Sequence, residues 1–356
     1  MSVRRRILQY RRIFLILLAV VSIVYVYLEY KRNVVNSKKF TWLTGRKPNI
    51  NESAVKKVVN GAENSLAEQL ADEVRILCWV MTNPANHKTK AIDVLRTWGT
   101  RCNRLIFVTS EDTAELGETF VLHNFTDNHD VLWVKTRKAF KHVYEKYANE
   151  MDWFMKADDD TYVLVENLRY LLYTYSPDMP IYFGHDFKYA YQVKNHYMSG
   201  GAGYVLSREA LHRFVNAAMP NSDLCPPEDN LIAEDWAIGM CLRSVGVLPG
   251  DSRDAHNELR FMPFEPHTLL TGNYFDDALW YFSYEIYHPR VCQNCLSKHA
   301  ISFHYMTKEG MYLTDFFLYQ FKLYESNQEK EVLPKKLRLD EVKIPTPYNA
   351  WDVTVN

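Results

Sequence analysis

The sequence predicts an α/β fold with a mostly parallel central sheet, and two observations carry that prediction. Short apolar runs are typical of buried strands, and the longer stretches between them have the periodicity of helices. These strands and helices alternate along the chain, at residues 74–81, 88–98, 105–108, 135–147, 152–157 and 163–172. Such alternation favours a layer of parallel strands covered by helices. The chain has 356 residues, of which 47% are hydrophobic. That is enough to form the core of one large domain or of two modest domains.

Each early element has its own local signal. Pro84 breaks the first apolar run. In the helical stretch that follows, Ile92 and Leu95 share a face. The helix at residues 135–147 is amphipathic, and its apolar side consists of Phe140, Val143, Tyr144 and Tyr147.

The second half of the chain has a more mixed pattern. It contains a strand at residues 181–184, a glycine-rich turn at 200–203 and a helix at 208–218. Residues 245–249 and 301–305 are candidate later strands. The sequence contains no internal repeat.

The N-terminal region predicts a membrane anchor. Five arginines precede residue 13, and residues 13–28 carry no charge. The arginines favour a cytosolic N-terminus, and the lack of a small-x-small cleavage site argues against a cleavable signal peptide. We therefore expect a single-pass type II protein with a lumenal catalytic domain. The predicted segments are a cytoplasmic tail at 1–12, a signal-anchor transmembrane helix at 13–30, a stem at 31–72, a catalytic domain at 73–326 and a C-terminal tail at 327–356.

All six cysteines lie on the predicted lumenal side, where disulfides form. Six cysteines allow about 15 connectivities. Proximity in sequence suggests the pairs Cys78–Cys102, Cys225–Cys241 and Cys292–Cys295. A zinc site is the weaker alternative for the last pair, because no second CxxC motif exists. Asn51 and Asn124 begin glycosylation sequons, which are usable only on a secretory route.

Three consecutive acids, Asp158, Asp159 and Asp160, directly follow an apolar strand. In an extended segment Asp158 and Asp160 share a face, so both can reach one cation. Ligands of parallel sheets bind beyond the carboxyl ends of the strands, where these acids lie. Oxygen ligands suit Mg²⁺ or Mn²⁺. The alternative interpretation is a solvated acidic turn.

Three other positions have both a structural and a functional interpretation. Glu234 and Asp235 have two interpretations. Either both are acids at the start of a helix, where the helix dipole favours them, or one of the two is a general base. His304 is either an ordinary histidine or a third metal ligand, whose nitrogen Mn²⁺ accepts more readily than Mg²⁺. Trp280, in a stretch dense in aromatics, either packs in the core or offers a flat face to a sugar ring.

Six segments in a shared order resemble a known family. They are residues 96–98, 153–162, 199–206, 233–239, 249–253 and 302–305. The chain resembles the core 1 β1,3-galactosyltransferases of glycosyltransferase family 31, which also includes the Fringe and β1,3-N-acetylglucosaminyltransferase enzymes. The resemblance covers roughly residues 74–310. It implies a GT-A (Rossmann-like) fold, a Mn²⁺ cofactor, UDP-galactose as donor and GalNAc-α-Ser/Thr in glycoproteins as acceptor.

The resemblance also implies roles for individual residues. Asp235 is the expected catalytic base, and Trp280 is expected to stack on the acceptor GalNAc. The expected metal ligands are Asp158, Asp160 and His304. The expected nucleotide-binding residues are Thr82, Arg96, Lys135, Asp158, Asp159 and Tyr305.

The implied partners are the donor, the acceptor glycoproteins, a second copy in a homodimer and a dedicated chaperone. Nucleic acid is not among them. The implied location is a Golgi or ER–Golgi membrane. One departure is Trp236, where the family often has a smaller residue, and it places the acceptor identity in doubt. Competing interpretations are a chaperone-like relative that lacks the metal motif, a non-catalytic lectin, and a β1,3-transferase with another donor or acceptor.

Overall fold

The computed structural model describes residues 66–189, 192–228, 232–272, 279–287, 296–321 and 334–343. They belong to one compact unit, Glu63–Asn356. The predicted anchor, Asn51 and the pair Cys292–Cys295 lie outside the described residues. Within the described ranges, no helix has the length and apolar character needed to span a membrane.

Twelve strands and nine α-helices are present in the described part of the chain. The strands are β1 (Ile76–Met81), β2 (Arg104–Thr109), β3 (Thr119–Val121), β4 (Trp153–Asp158), β5 (Tyr162–Val163), β6 (Ile181–Gly184), β7 (Asp186–Tyr189), β8 (Gln192–Met198), β9 (Tyr204–Ser207), β10 (Leu248–Pro249), β11 (Phe261–Met262) and β12 (Ser302–Phe303). The helices are α1 (Leu66–Glu73), α2 (Ile92–Arg96), α3 (Leu132–Tyr147), α4 (Val165–Leu172), α5 (Arg208–Arg213), α6 (Glu234–Ser244), α7 (Pro266–Thr271), α8 (Leu279–Tyr284) and α9 (Lys308–Asp315).

The central sheet has seven strands in the order β10-β6-β9-β4-β1-β2-β3. Neighbouring strands are parallel except at β9, which runs antiparallel to both β4 and β6. This confirms the predicted α/β architecture with a mostly parallel sheet. A three-stranded sheet, β11-β12-β5, and the hairpin β7-β8 complete the described strands.

The two faces of β1 are both buried, which explains its uninterrupted apolar sequence. Side chains alternate across a strand, so Ile76, Cys78 and Val80 pack into one core cluster. The other face, which includes Trp79, packs into a second cluster. Helix α4 covers the first face and α3 covers the second, where Phe140 meets the Trp79 ring edge-on.

The predicted helices and early strands are confirmed with small shifts in their ends. The two late strands are shorter than predicted, since β10 and β12 contain two residues each. The sequence analysis missed β9 and the hairpin β7-β8, which follow the strand predicted at residues 181–184. Two of the predicted disulfides, Cys78–Cys102 and Cys225–Cys241, are confirmed.

Both ends of the described chain contact the folded body. Helix α1 falls almost wholly within the predicted stem, yet Leu70 is buried in the core. Within the predicted C-terminal tail, the Leu337 amide donates to the Thr174 carbonyl, and the Lys343 carbonyl accepts from the Asp251 amide. The folded body therefore includes short segments on either side of residues 73–326.

Candidate active site

The acid triplet lies at the carboxyl edge of the central sheet. Strands β1 and β4 are parallel and in register, with Met81 opposite Asp158, so both chains leave the sheet at the same edge. Residue Thr82 therefore reaches the triplet, and its Oγ1 donates to Asp159 Oδ2 at 2.8 Å. The parallel pairing of β1 with β4 brings these two segments together.

Asp158, Asp160 and His304 form a cluster that can hold a metal ion. One potential ligand atom from each lies within 4.8 Å of the other two. A Cβ on Gly201 would lie 2.1 Å from the His304 ring, so the ring occupies its place because residue 201 is glycine. Two carboxylate oxygens and one imidazole nitrogen are ligands that Mn²⁺ accepts. The three residues fit the predicted metal site.

Lysines balance part of the charge of the triplet. Lys90 Nζ donates to Asp160 Oδ2 at 2.9 Å, and Lys156 Nζ donates to Asp158 Oδ1 at 2.7 Å. Burial alone would raise the pKa of Asp160, but the hydrogen bonds and charges of His304 and Lys90 outweigh burial and hold it well below its usual range. Burial raises the pKa of Asp159 to about 6.

A cavity of about 470 Å³, here called the polar cavity, opens beside the triplet. Lys135 is fully buried at its wall, where its Nζ donates to the Thr82 carbonyl and, at 2.6 Å, to Asp127 Oδ2. Burial lowers the pKa of Lys135 despite the nearby Asp127. Of the predicted nucleotide-binding residues, the polar cavity is lined by Thr82, Lys135, Asp158, Asp159 and Tyr305.

Arg96 is the predicted nucleotide-binding residue that the structure does not bring to this cavity. It is exposed at the end of α2 and hydrogen-bonds Tyr312 on α9. Its role as a UDP contact stays a prediction without geometric support.

A second cavity, here called the aromatic cavity, has a volume of about 480 Å³. Asp158, His304 and Tyr305 line both cavities, so two of the three candidate metal ligands lie in the wall that the cavities share. Tyr305 adopts a left-handed backbone conformation (φ 56°), and its ring stacks on His304 at 3.9 Å. The remaining walls carry the rings of Phe187, Tyr189, Tyr197, Trp236, Trp280 and Tyr284.

Asp235 lines the aromatic cavity from the first turn of α6. Its two carboxylate oxygens accept from the backbone N–H groups of Gly200 and Trp236, at 3.0 and 2.8 Å. Burial raises the pKa of Asp235, although these two hydrogen bonds and Lys156 oppose the effect. A carboxylate with a raised pKa, held in place at a cavity wall, can act as a general base.

Glu234, the neighbour of Asp235, is buried at the wall of the aromatic cavity, and its carboxylate is held in a hydrogen-bond network. Its Oε1 accepts from Thr136 and Tyr204 at 3.0 and 2.5 Å, and its Oε2 lies 3.9 Å from Lys156 Nζ. These contacts fasten the start of α6 to α3 and to β9. Sequence analysis named Glu234 only as one of a pair, and the structure separates it from Asp235 as a structural acid.

Sequence analysis also missed Lys156, which links the two sides of the site. Its Nζ bonds Asp158 and, at 3.0 Å, the carbonyl of Gly200, whose amide holds Asp235. The signal was available, because residues two apart on a strand share a face, and Lys156 interrupts an otherwise apolar strand. Lys90 has no comparable signal, since it reaches the triplet only through the tertiary fold.

Comparisons with known proteins show the family of the chain. The "Fringe-like" family model matches residues 71–311. "Glycoprotein-N-acetylgalactosamine 3-beta-galactosyltransferase 1" of Xenopus laevis is 44% identical over 264 residues, which cover 73% of this chain and 70% of that protein.

More distant relatives match over shorter stretches. "Beta-1,3-glucosyltransferase" of Mus musculus is 32% identical over 110 residues, 30% of this chain and 21% of that protein. "Chondroitin sulfate synthase 3" of Homo sapiens is 26% identical over 185 residues, 47% of this chain and 20% of that protein. The chain thus spans about a fifth of these two relatives. From the family match and the identity to the Xenopus protein, we conclude that the chain belongs to the Fringe-like family of glycosyltransferases.

Proposed function

We propose that the chain transfers galactose from UDP-galactose to the 3-hydroxyl of GalNAc-α-Ser/Thr in glycoproteins, which makes the core 1 O-glycan. The observation that carries this proposal is the shared wall: two candidate metal ligands, Asp158 and His304, line both a polar cavity and an aromatic cavity that contains Asp235. An inverting transferase needs the departing nucleotide of the donor and the attacking hydroxyl of the acceptor on opposite sides of the reacting carbon. The printed name of the Xenopus relative supports galactose and GalNAc as the two sugars.

The polar cavity suits the nucleotide of the donor. In a GT-A fold the donor binds at the carboxyl edge of the sheet, where this cavity lies. Asp158, Asp160 and His304 would hold Mn²⁺, which offsets the negative charge that develops on the departing diphosphate. Lys135 and Thr82 line the same cavity as further contacts for UDP.

The aromatic cavity suits the acceptor sugar. Trp280 is 42% exposed there, so its ring has a face free for the apolar side of GalNAc. Asp235 would take the proton of the 3-hydroxyl as that oxygen attacks the anomeric carbon of galactose. An α-linked donor and a β-linked product require one inverting displacement, with an oxocarbenium-like transition state.

The cellular setting remains the one expected from sequence. We propose a homodimeric type II Golgi or ER–Golgi membrane protein with a lumenal catalytic domain, and a dedicated chaperone is a candidate partner. The two disulfides support an oxidising compartment. The sequon residue Asn124 is exposed, as a glycosylated residue must be.

One assay tests the proposed reaction. The full-length chain, purified in detergent, is incubated with Mn²⁺, a GalNAc-α-threonine glycopeptide and UDP-galactose, UDP-glucose or UDP-GlcNAc. We expect galactose in β1,3 linkage from UDP-galactose and little transfer from the other two donors. Folded protein that transfers no galactose would refute the proposal, and preferential transfer from another donor would leave a β1,3-transferase with a different donor.

A further inference from the structure

The rings of the aromatic cavity are exposed at two separate places. A chain of ring contacts runs along its wall, with centroid distances of 6.2, 6.0, 5.6 and 4.2 Å. The rings follow the order Trp280, Phe187, Tyr197, Trp236 and Tyr189. The two middle members, Phe187 and Tyr197, are buried, so the chain has two exposed ends. Trp280 is one end, and the pair of Trp236 and Tyr189 is the other.

The second end, the pair of Tyr189 and Trp236, forms a flat surface that is here called the platform. Tyr189 and Trp236 stack with their rings 4.2 Å apart and only 15° from parallel. Trp236 is half-buried and packs against the core, whereas Tyr189 is 42% exposed despite the stack. The pair stands beside Asp235, because Trp236 is the next residue of α6 and its amide donates to the Asp235 carboxylate.

The position of the platform indicates what it meets. Under the proposed function, UDP occupies the polar cavity and the acceptor GalNAc lies on Trp280. The group that remains is the one attached to GalNAc, namely the peptide. An exposed aromatic pair offers such a peptide a flat apolar surface, and Arg243 lies 5.8 Å from the Trp236 ring.

We propose that Tyr189 and Trp236 bind a proline of the acceptor peptide near the glycosylated Ser or Thr. O-glycosylated mucin-like segments are rich in Ser, Thr and Pro, and aromatic-lined grooves recognise the preformed polyproline II conformation of such segments. The inference rests on the proposed function and adds a second element of acceptor choice beyond the GalNAc itself. It also gives Trp236 a role, at a position where the family often has a smaller residue.

The test compares acceptors that differ by one residue. Full-length protein in detergent is assayed with glycopeptides that carry GalNAc-α-threonine and a single proline at each position from three before to three after it, against peptides with alanine there. Methyl α-GalNAc serves as an acceptor without a peptide. We expect kcat/KM to be about twofold to tenfold higher for at least one proline peptide, as a ring stack of this size gives.

Variants assign that preference to the platform. In Tyr189→Ala the proline-to-alanine ratio of kcat/KM falls to about one, whereas Tyr189→Phe keeps the ring and keeps the ratio. Phe317→Ala, at a residue that is 56% exposed and does not line the aromatic cavity, is the control for loss of a surface ring. Tyr189 is exposed, so its replacement leaves the core intact, and circular dichroism verifies this.

The outcomes separate the two proposals. A wild-type ratio near one at every position, or a Tyr189→Ala protein with the wild-type ratio, overturns the platform while galactose transfer stands. Absence of galactose transfer to all three kinds of acceptor overturns the proposed function and the platform together.

Discussion

The two cavities that share Asp158 and His304 in their walls differ in how they are built. In the polar cavity each buried charge has a partner, such as Lys135 with Asp127 or Lys90 with Asp160. In the aromatic cavity most walls are rings in edge or stacked contact. A change in the polar cavity leaves a buried charge without its partner, which is costly. Replacement of one ring by another alters the shape and contact area of the aromatic cavity at a smaller cost in free energy. The aromatic cavity can therefore adapt to different ligands.

The largest effect should come from Asp235, the carboxylate of the aromatic cavity that we propose as the general base. In Asp235→Asn the amide cannot take the proton of the acceptor hydroxyl, so kcat should fall by about 10² to 10⁴. UDP binding, measured by calorimetry with Mn²⁺, should stay at the wild-type value, because the nucleotide lies in the other cavity. Glu145→Gln, on the exposed side of α3, is the matched control. Normal turnover in Asp235→Asn would show that another group is the base.

The next effect tests whether the two cavities are mechanically joined. Lys156→Met removes the cation that bonds Asp158 and the Gly200 carbonyl and lies 3.9 Å from buried Glu234. A buried acid without its partner typically costs about 3–5 kcal/mol of folding free energy. We expect this loss in denaturant unfolding with the disulfides intact.

The same variant should change both cavities at once. UDP affinity should weaken, since Asp158 loses a hydrogen bond, and kcat should fall, since Gly200 holds Asp235. Lys141→Met, at an exposed lysine of α3, should change neither quantity. If Lys156→Met altered UDP affinity alone, the two sides would be independent.

Much of the polar cavity could be predicted from the sequence, and the reason is local. The acid triplet follows an apolar strand, and the rule for parallel sheets places a ligand at that edge. Thr82 was predicted only through the family resemblance, and the structure shows it at the end of the neighbouring parallel strand β1. His304 could be placed there only through family resemblance, because β12 is a two-residue strand with no recognisable alternation. Lys90 could not be placed at all, since it reaches Asp160 across the sheet edge from a short helix.

The aromatic cavity was less predictable because its walls come from distant segments. The hairpin β7-β8, which carries Phe187, Tyr189 and Tyr197, was not predicted. Aromatic residues give the same sequence signal in a core as in a binding site. The exposed Trp280 and the buried Tyr281 are neighbours in sequence, and only the fold decides which of the two reaches the cavity.

A third effect concerns the shared wall. In Gly201→Ala the new Cβ would lie 2.1 Å from the His304 ring, so the ring must leave its position. We expect Mn²⁺ affinity, measured by titration of UDP binding, to fall by about 10-fold to 100-fold, as for other changes that displace a metal ligand. Gly310→Ala, whose Cβ would meet Thr307 Oγ1 at 3.2 Å, is the matched glycine control. Unchanged affinity in Gly201→Ala would remove His304 from the metal site.

The smallest expected effect is a pH dependence of the free energy of unfolding, which comes from a buried histidine beneath the aromatic cavity. His185 is fully buried, and both ring nitrogens face acceptors, the Phe261 carbonyl at 3.0 Å and Glu285 Oε2 at 3.1 Å. A ring that bonds two acceptors carries two protons. Burial alone would lower the pKa of His185, but the charge and hydrogen bond of Glu285 outweigh it, so its pKa is raised. The other groups that act on this pair include Asp186.

The raised pKa of His185 determines how stability changes with pH. A raised folded-state pKa gives stability that is full below about pH 6.5, the value of an unfolded histidine, and is lost as pH rises through the folded pKa. Glu285→Gln should therefore reduce the free energy of unfolding more at pH 6 than at pH 9. Because Glu285 directly follows α8, the acceptor KM should rise with pH in the wild type and less in the variant. An equal loss of stability at both pH values would mean that His185 does not change its charge in this range, and that the aromatic cavity is held by packing alone.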